Sequence, residues 1–393
     1  MKFLKKIKFR FIDPPTKKII LFDGESSHDL QYVLEEFEFF LLEIRKNRIF
    51  EIYFSVNVLV NFLKNYFLLF FKNRNIHTIY LYTLINLIKP KVIITSICNS
   101  GKFHELAKLL NKKLFFLAVQ NASRSSDFRR DLHRYKKKIT NNNINKDYYI
   151  PNFFCYGQSE IDDCKEFGIK VDNFYKTGSI RIANFFRYLR INKIELKKNK
   201  YDICLISENA YDLNSKLGED GEEEGFANMV KFVIRYAKET NIKFIFARKR
   251  KNFTSLANDE MSFFKKYLSE TELNYLKNNM NEKINEHSSY FPLFQSKIAI
   301  GTQSTLLKDK LSCKEKILSL NLQKTNIYDF PISGVCSIKN CSYEEFKERV
   351  NMIFSMSDKE YFLNISKNFN YLIEFSKDEN VIDKIKNSIN ENL

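Results

Sequence analysis

The feature that most constrains this chain is a unit that recurs along it: a short apolar run, a break of small or polar residues, then a stretch with helical spacing. Lys18-Ile19-Ile20-Leu21-Phe22 stops at Asp23-Gly24, and Lys91-Val92-Ile93-Ile94-Thr95-Ser96 stops at Asn99-Ser100-Gly101. Leu114–Val119 stops at Gln120-Asn121, and Pro151–Tyr156 stops at Gly157. A continuous apolar run bounded by turn residues is the signature of a strand buried on both faces, and strands alternating with helices imply a parallel sheet. Residues 29–48 carry helical spacing through Leu30, Val33, Leu34, Phe37, Phe40 and Leu41, and Ile49–Val56 reads as a further strand. A second alternating set begins at Tyr201, with strands over Asp202–Ser207, Ile242–Ala247, Ile298–Gly301 and Lys316–Leu320. Helices are expected over 226–239 and 260–280, and from Leu306 onward. The expectation is an α/β chain of two doubly wound domains facing each other across a central cleft: 1–189, a linker at 190–200, 201–341, and a helical tail at 342–393.

At 393 residues the chain suits two cores, and 44% hydrophobic content supplies them. A net charge of +17 implies attraction to an anion, but no zinc finger, helix-turn-helix or aromatic-interleaved RNA motif accompanies it. Nucleic acid is therefore not expected as a partner. Peripheral contact with an anionic membrane is compatible with the charge. Seven scattered cysteines without CxxC spacing suggest reduced thiols in a cytoplasmic protein. The apolar window Ile52–Phe71 is interrupted by Asn57, Asn61 and Lys64, and reads as strand plus helix rather than a membrane span. Five histidines in no ligand pattern, and no Gly-x-Gly-x-x-Gly or Walker loop, leave no metal or cofactor expected.

Ligands of open parallel sheets bind beyond the carboxyl ends of the strands, and the candidate residues stand there. Gly301-Thr302-Gln303-Ser304-Thr305 joins a strand to a helix start, where free N–H groups and hydroxyls suit a phosphate; a plain helix cap explains the same residues. Ser207 ends one strand, and Arg248-Lys249 ends another with cations able to clamp phosphate or simply to face solvent. Gln120, Asn121, Arg124 and Asn99 offer amides and a cation to a hydroxyl-rich ligand, and also suit turns. Asp23 and Glu208 are candidate general bases.

In this order the segments resemble bacterial surface-carbohydrate (capsule and lipopolysaccharide) transferases of the GT-B type, and more distantly the glycerophosphotransferases of teichoic-acid synthesis. The matching segments are Ile19–Asp23, Val92–Asn99, Val119–Arg124, Phe153–Gly157, Gly178–Arg181, Ile206-Ser207 and Gly301–Asp309. The family commonly has Gln-Asn-Gly-x-Arg where Gln120–Arg124 stands, and Ser-Thr-Leu-Gly-x-Glu where Ser304–Asp309 stands. The resemblance implies two Rossmann-like domains, the second binding a nucleotide-sugar donor through Ser304, Thr305 and Asp309, the first lining the acceptor with Gln120, Asn121 and Arg124. It also implies a metal-independent glycosyltransferase, acting from a nucleotide-linked sugar, with CMP among the candidate nucleotides, on a lipid-linked or oligosaccharide acceptor at the inner face of the membrane. A diverged scaffold, a nucleotide-sugar epimerase and a polyol-phosphate transferase share the fold and stay open. Ala122 and Leu307 replace family glycines, Lys314 stands where a glycine usually precedes the last strand, and the His-Pro dipeptide of several CMP-sugar transferases is absent.

Overall fold

The computed structural model describes residues 8–25, 27–45, 51–70, 74–123, 148–208, 222–250, 255–375 and 380–393. The chain divides into two compact units: Met1–Ala122, Tyr135–Asn184 and Ser376–Leu393 form the first, Ser123–Arg134 and Phe185–Phe375 the second.

The first unit holds strands β1 (Lys8–Arg10), β2 (Ile19–Phe22), β3 (Phe39–Leu42), β4 (Glu51–Tyr53), β5 (Val92–Thr95), β6 (Phe115–Val119), β7 (Tyr149–Cys155) and β8 (Lys170–Lys176). Six of them make a parallel sheet in the order β3-β2-β5-β6-β7-β8, while β1 and β4 pair separately. Residues Ile19–Phe22, Val92–Thr95 and Tyr149–Cys155 are buried throughout, as continuous apolar runs in a covered parallel sheet should be. The helical spacing over 29–48 resolves differently: a short helix ends at Leu34, and Phe39–Leu42 joins the sheet edge in register with Ile19–Phe22. Four consecutive apolar residues satisfy either period, and the open edge of β2 decides between them. The strand expected over 49–56 is confined to Glu51–Tyr53 among described residues, because a helix starts at Val56 and runs to Phe70.

The C-terminal helix Val381–Glu391 belongs to this unit. Its Ile382, Ile385 and Ile389 have no exposed surface and join the core made by Ile19, Leu21, Val92 and Leu117.

The second unit holds β9 (Tyr201–Ile206), β10 (Phe244–Ala247), β11 (Ser296–Gly301), β12 (Ile317–Asn321) and β13 (Ser337–Lys339) in one parallel sheet ordered β10-β9-β11-β12-β13. The 19-residue helix Glu222–Thr240 buries Met229, Val230 and Val233. The helix expected over 260–280 is two, Ser255–Tyr267 and Glu270–Asn278, because Ser269 and Glu272 form a reciprocal capping box that starts a new helix.

Among the described residues no helix is long and apolar enough to cross a membrane. No disulfide forms between the cysteines. Burial pushes the thiols of Cys155 and Cys204 up to about 12, so both behave as small apolar groups.

Candidate functional site in the second unit

Parallel register brings the carboxyl ends of three strands together: Ala247 lies beside Ile206, Ile300 beside Leu205, and Gly301 beside Ser319. The residue after each strand therefore lands in one neighbourhood.

After β9, Ser207 is buried and donates its hydroxyl to Glu260 Oε1 at 2.6 Å. After β10, Arg248 donates Nε to Glu260 Oε2 at 3.2 Å. Glu260 has no accessible surface, so this one carboxylate holds a hydroxyl and a guanidinium from two adjacent strands. The Arg248 backbone is fixed as well. Its N–H donates to Asn281 Oδ1 at 2.7 Å, and its carbonyl accepts from Ser289 Oγ at 2.8 Å. Lys249 beside it is exposed.

Sequence reasoning missed Glu260, Asn281 and Ser289. A signal for Glu260 existed: it sits three and four residues before Phe263 and Phe264, on the buried face of its own helix.

After β11, the Thr302 N–H donates to Glu208 Oε1 at 3.0 Å. A Cβ at Gly301 would stand 3.1 Å from that same oxygen, a tight approach that the Glu208 side chain would have to relieve. Gln303 donates its amide to the carbonyls of Ile327 at 3.2 Å and of Asp329, tying down the segment after β12. Ser304 is the N-cap of the helix Thr305–Ser312 and accepts from the Leu306 N–H at 3.4 Å, a long bond for a cap. Thr305 Oγ1 accepts from the N–H of Ser123, a residue of the same unit, at 3.2 Å. Lys308, also buried, donates to the Ser123 hydroxyl. Asp309 has no exposed surface, and its Oδ2 accepts from the Tyr290 hydroxyl at 2.7 Å. A carboxylate so enclosed reaches a ligand only if the helix moves.

Ser207, Glu208, Arg248 and Thr302–Thr305 thus follow the carboxyl ends of three adjacent strands, whereas Asp309 points into the core.

In the first unit, Asp23 adopts φ 66° at the end of β2. It is fully buried, and its carboxylate takes the Arg45 Nε at 3.1 and 3.0 Å and the Glu25 N–H at 3.1 Å. Gln120 is equally committed: its carbonyl accepts from the Tyr156 N–H at 2.8 Å and its amide donates to the Ala122 carbonyl at 3.0 Å, joining the ends of β6 and β7. Asn121 is buried and Asn99 exposed. Arg124 lies outside the described residues. Among the described residues no cluster of three His, Cys, Asp or Glu side chains could hold a metal.

No protein-family model and no curated protein sequence matches the chain. Solved structures do. The Methanocaldococcus jannaschii UDP-GlcNAc 2-epimerase, bound to UDP-GlcNAc and UDP, superposes with TM-score 0.52 at 12% identity over 95% of this chain and 99% of its own. A Rickettsia africae glycosyltransferase matches at TM-score 0.39 and 12% identity over 96% and 94%. Arabidopsis thaliana UGT89C1 in complex with UDP matches at TM-score 0.44 and 8% identity over 95% and 100%. The fold is of the GT-B type, which nucleotide-sugar epimerases and glycosyltransferases share.

Proposed function

We propose that the chain is a metal-independent glycosyltransferase whose second unit binds a nucleotide sugar, and that it passes the sugar to a lipid-linked or oligosaccharide acceptor of surface-polysaccharide synthesis on the cytoplasmic face of the membrane. The observation that carries this is the meeting of Ser207, Arg248 and the Thr302–Thr305 turn at the carboxyl end of one sheet, with the buried Glu260 pinning the first two. A phosphate placed there meets Arg248 and the first amides of the helix Thr305–Ser312, whose own cap at Ser304 is loose enough to yield. Negative charge developing on the leaving nucleotide is then stabilised by groups already in place. As acceptor base, Glu208 suits the task better than Asp23, because it is only half-buried while Asp23 has no accessible surface. Asn99, Gln120 and Asn121 of the first unit, with Arg124, remain the acceptor-side nominees.

Thermal shift with CMP-, CDP-, UDP-, GDP- and dTDP-linked sugars tests the donor claim. A ligand at 100 times its Kd should stabilise the protein by about 2.7 kcal/mol. Arg248→Ala or Thr305→Ala should weaken binding roughly tenfold or more, the cost of about 1.5–3 kcal/mol for a hydrogen bond to a charged group. If no nucleotide raises the melting temperature, the proposal fails. Epimerisation is the competing use of the fold, and the neighbour with TM-score 0.52 motivates it. Nucleotide release that requires a glycan acceptor supports transfer; conversion of the free nucleotide sugar alone supports epimerisation.

A further inference from the structure

Helix Ser255–Tyr267 supplies no strand end, yet it places a carboxylate beneath two of them. Phe263 and Phe264 follow Glu260 by three and four residues, so the three share one helix face. That face packs inward: the Phe264 ring centre lies 5.4 Å from that of Phe246 in β10, and the Phe263 ring centre 5.6 Å from that of Phe226 in helix Glu222–Thr240. Glu260 is carried in with them and has no accessible surface. A carboxylate so enclosed is costly unless its oxygens find donors.

Here each oxygen has one, Ser207 Oγ at 2.6 Å on Oε1 and Arg248 Nε at 3.2 Å on Oε2. An ionised carboxylate only accepts, so Ser207 spends its one proton on Glu260 and keeps none for a phosphate. Its part is to brace Glu260. Arg248 differs, because Nε is the donor at the base of the guanidinium, and the terminal nitrogens carry the remaining N–H groups, which suit an end-on grip of a phosphate. The Arg248 side chain keeps 13% of its surface exposed and Glu260 none, so the arginine is the member of the pair that a ligand can reach.

The Arg248 main chain is held separately. Asn281 Oδ1 takes its N–H, and the Ser289 hydroxyl donates to its carbonyl while accepting from the Lys283 ammonium at 3.0 Å. The Asn281 N–H returns to the Phe246 carbonyl at 3.0 Å. Loss of Glu260 would therefore leave the arginine's backbone in place and release only the direction of its side chain. Fixing that direction before a ligand arrives moves the cost of ordering a long side chain from binding to folding.

We propose that Glu260 is the positioning residue of the donor site: it does not touch the nucleotide, and it acts by aiming the Arg248 guanidinium at the donor phosphate. This deepens the proposed function and rests on it for the phosphate. A residue that only supported the fold would weaken binding whether or not Arg248 were present, whereas one that acts through Arg248 loses its effect once the arginine is gone.

Calorimetric titration of the full chain with CMP, CDP, UDP, GDP and dTDP separates the two roles. Glu260→Ala should lower the affinity for whichever of these wild type binds by about tenfold or more. The same substitution added to Arg248→Ala should lower it by less than about twofold. Glu260→Gln keeps an acceptor for Arg248 Nε and should hold affinity within about threefold of wild type. Losses that multiply across the two backgrounds overturn the proposal, as does a Glu260→Ala variant that binds like wild type, or a Gln variant as weak as the Ala variant. The double variant leaves no guanidinium without its carboxylate, so its comparison with Arg248→Ala decides the matter if Glu260→Ala alone fails to fold. Wild type that binds none of the five nucleotides removes the donor site and this inference with it; wild-type binding with multiplied losses removes the inference alone.

Discussion

His104 has 1% exposure, and its Nδ1 lies 3.0 Å from the Tyr149 carbonyl. A carbonyl only accepts, so Nδ1 carries a proton. Burial holds the imidazole down at about 4, against an ordinary 6.5. The unfolded chain therefore takes the proton first as pH falls. Stability is fully present above about 6.5 and is lost progressively toward pH 4, by roughly 3 kcal/mol if the whole shift is expressed. Denaturant melts of wild type and His104→Gln at pH 7 and pH 4 should show a smaller acid loss in the variant; equal losses would place the titration elsewhere. This residue gave no signal in the sequence, because its burial comes from β7, 45 residues further along. Asp23 and Gln120 teach the converse. Their positions after β2 and β6 were legible, but the partners that occupy them, Arg45 and Tyr156, were brought in by the fold.

At the scale of elements, the join between the helix Thr305–Ser312 and β12 shows what a family comparison can reveal. Lys314 stands where a glycine is usual, and its φ is 59°. Its N–H donates to the Leu311 carbonyl at 3.0 Å and the Glu315 N–H to the Lys310 carbonyl at 3.3 Å, the paired bonds of a helix end that wants a left-handed residue. A lysine there costs about 1–2 kcal/mol relative to glycine. The Lys314 ammonium lies 5.0 Å from the Phe369 ring centre and offsets part of that, about 0.5 kcal/mol at an exposed site. Lys314→Gly should therefore raise stability by roughly 0.5–1.5 kcal/mol, read as a higher denaturation midpoint at constant slope; a lower midpoint would mean that the aromatic contact dominates. Other elements were ambiguous in the sequence for a physical reason. Phe39–Leu42 is apolar at every position and fits a helix or a strand, whereas β5 and β9 are bounded by clear turn residues. The break at Ser269 had a local signal in Ser269 and Glu272, the two ends of its capping box.

At the scale of the molecule, the last helix returns to the first unit although its sequence is the most distant from it. Ile382, Ile385 and Ile389 each bury a side chain worth about 1.5–3 kcal/mol, and Lys386 pairs with Glu35 and Glu36. Removing residues 380–393 should cost more than about 4 kcal/mol, comparable to the whole stability of an ordinary domain, and should unfold the first unit. Near-ultraviolet circular dichroism and melting of the truncated chain check this; native melting would show that the helix is dispensable. The alternation of buried strands and helices, the parallel sheets, and the placing of Ser207, Arg248 and Thr302–Thr305 at strand ends were determined by the sequence itself, because apolar period and turn chemistry act within a few residues of one another. Tertiary structure alone decided which side chains remain available at those ends. Glu260 bridging Ser207 to Arg248, Asp309 turned inward to Tyr290, Asp23 locked by Arg45, and the apolar face of Val56–Phe70 left outside all depend on partners tens of residues away. Contacts of that range leave no local period, so no pattern along the chain records them.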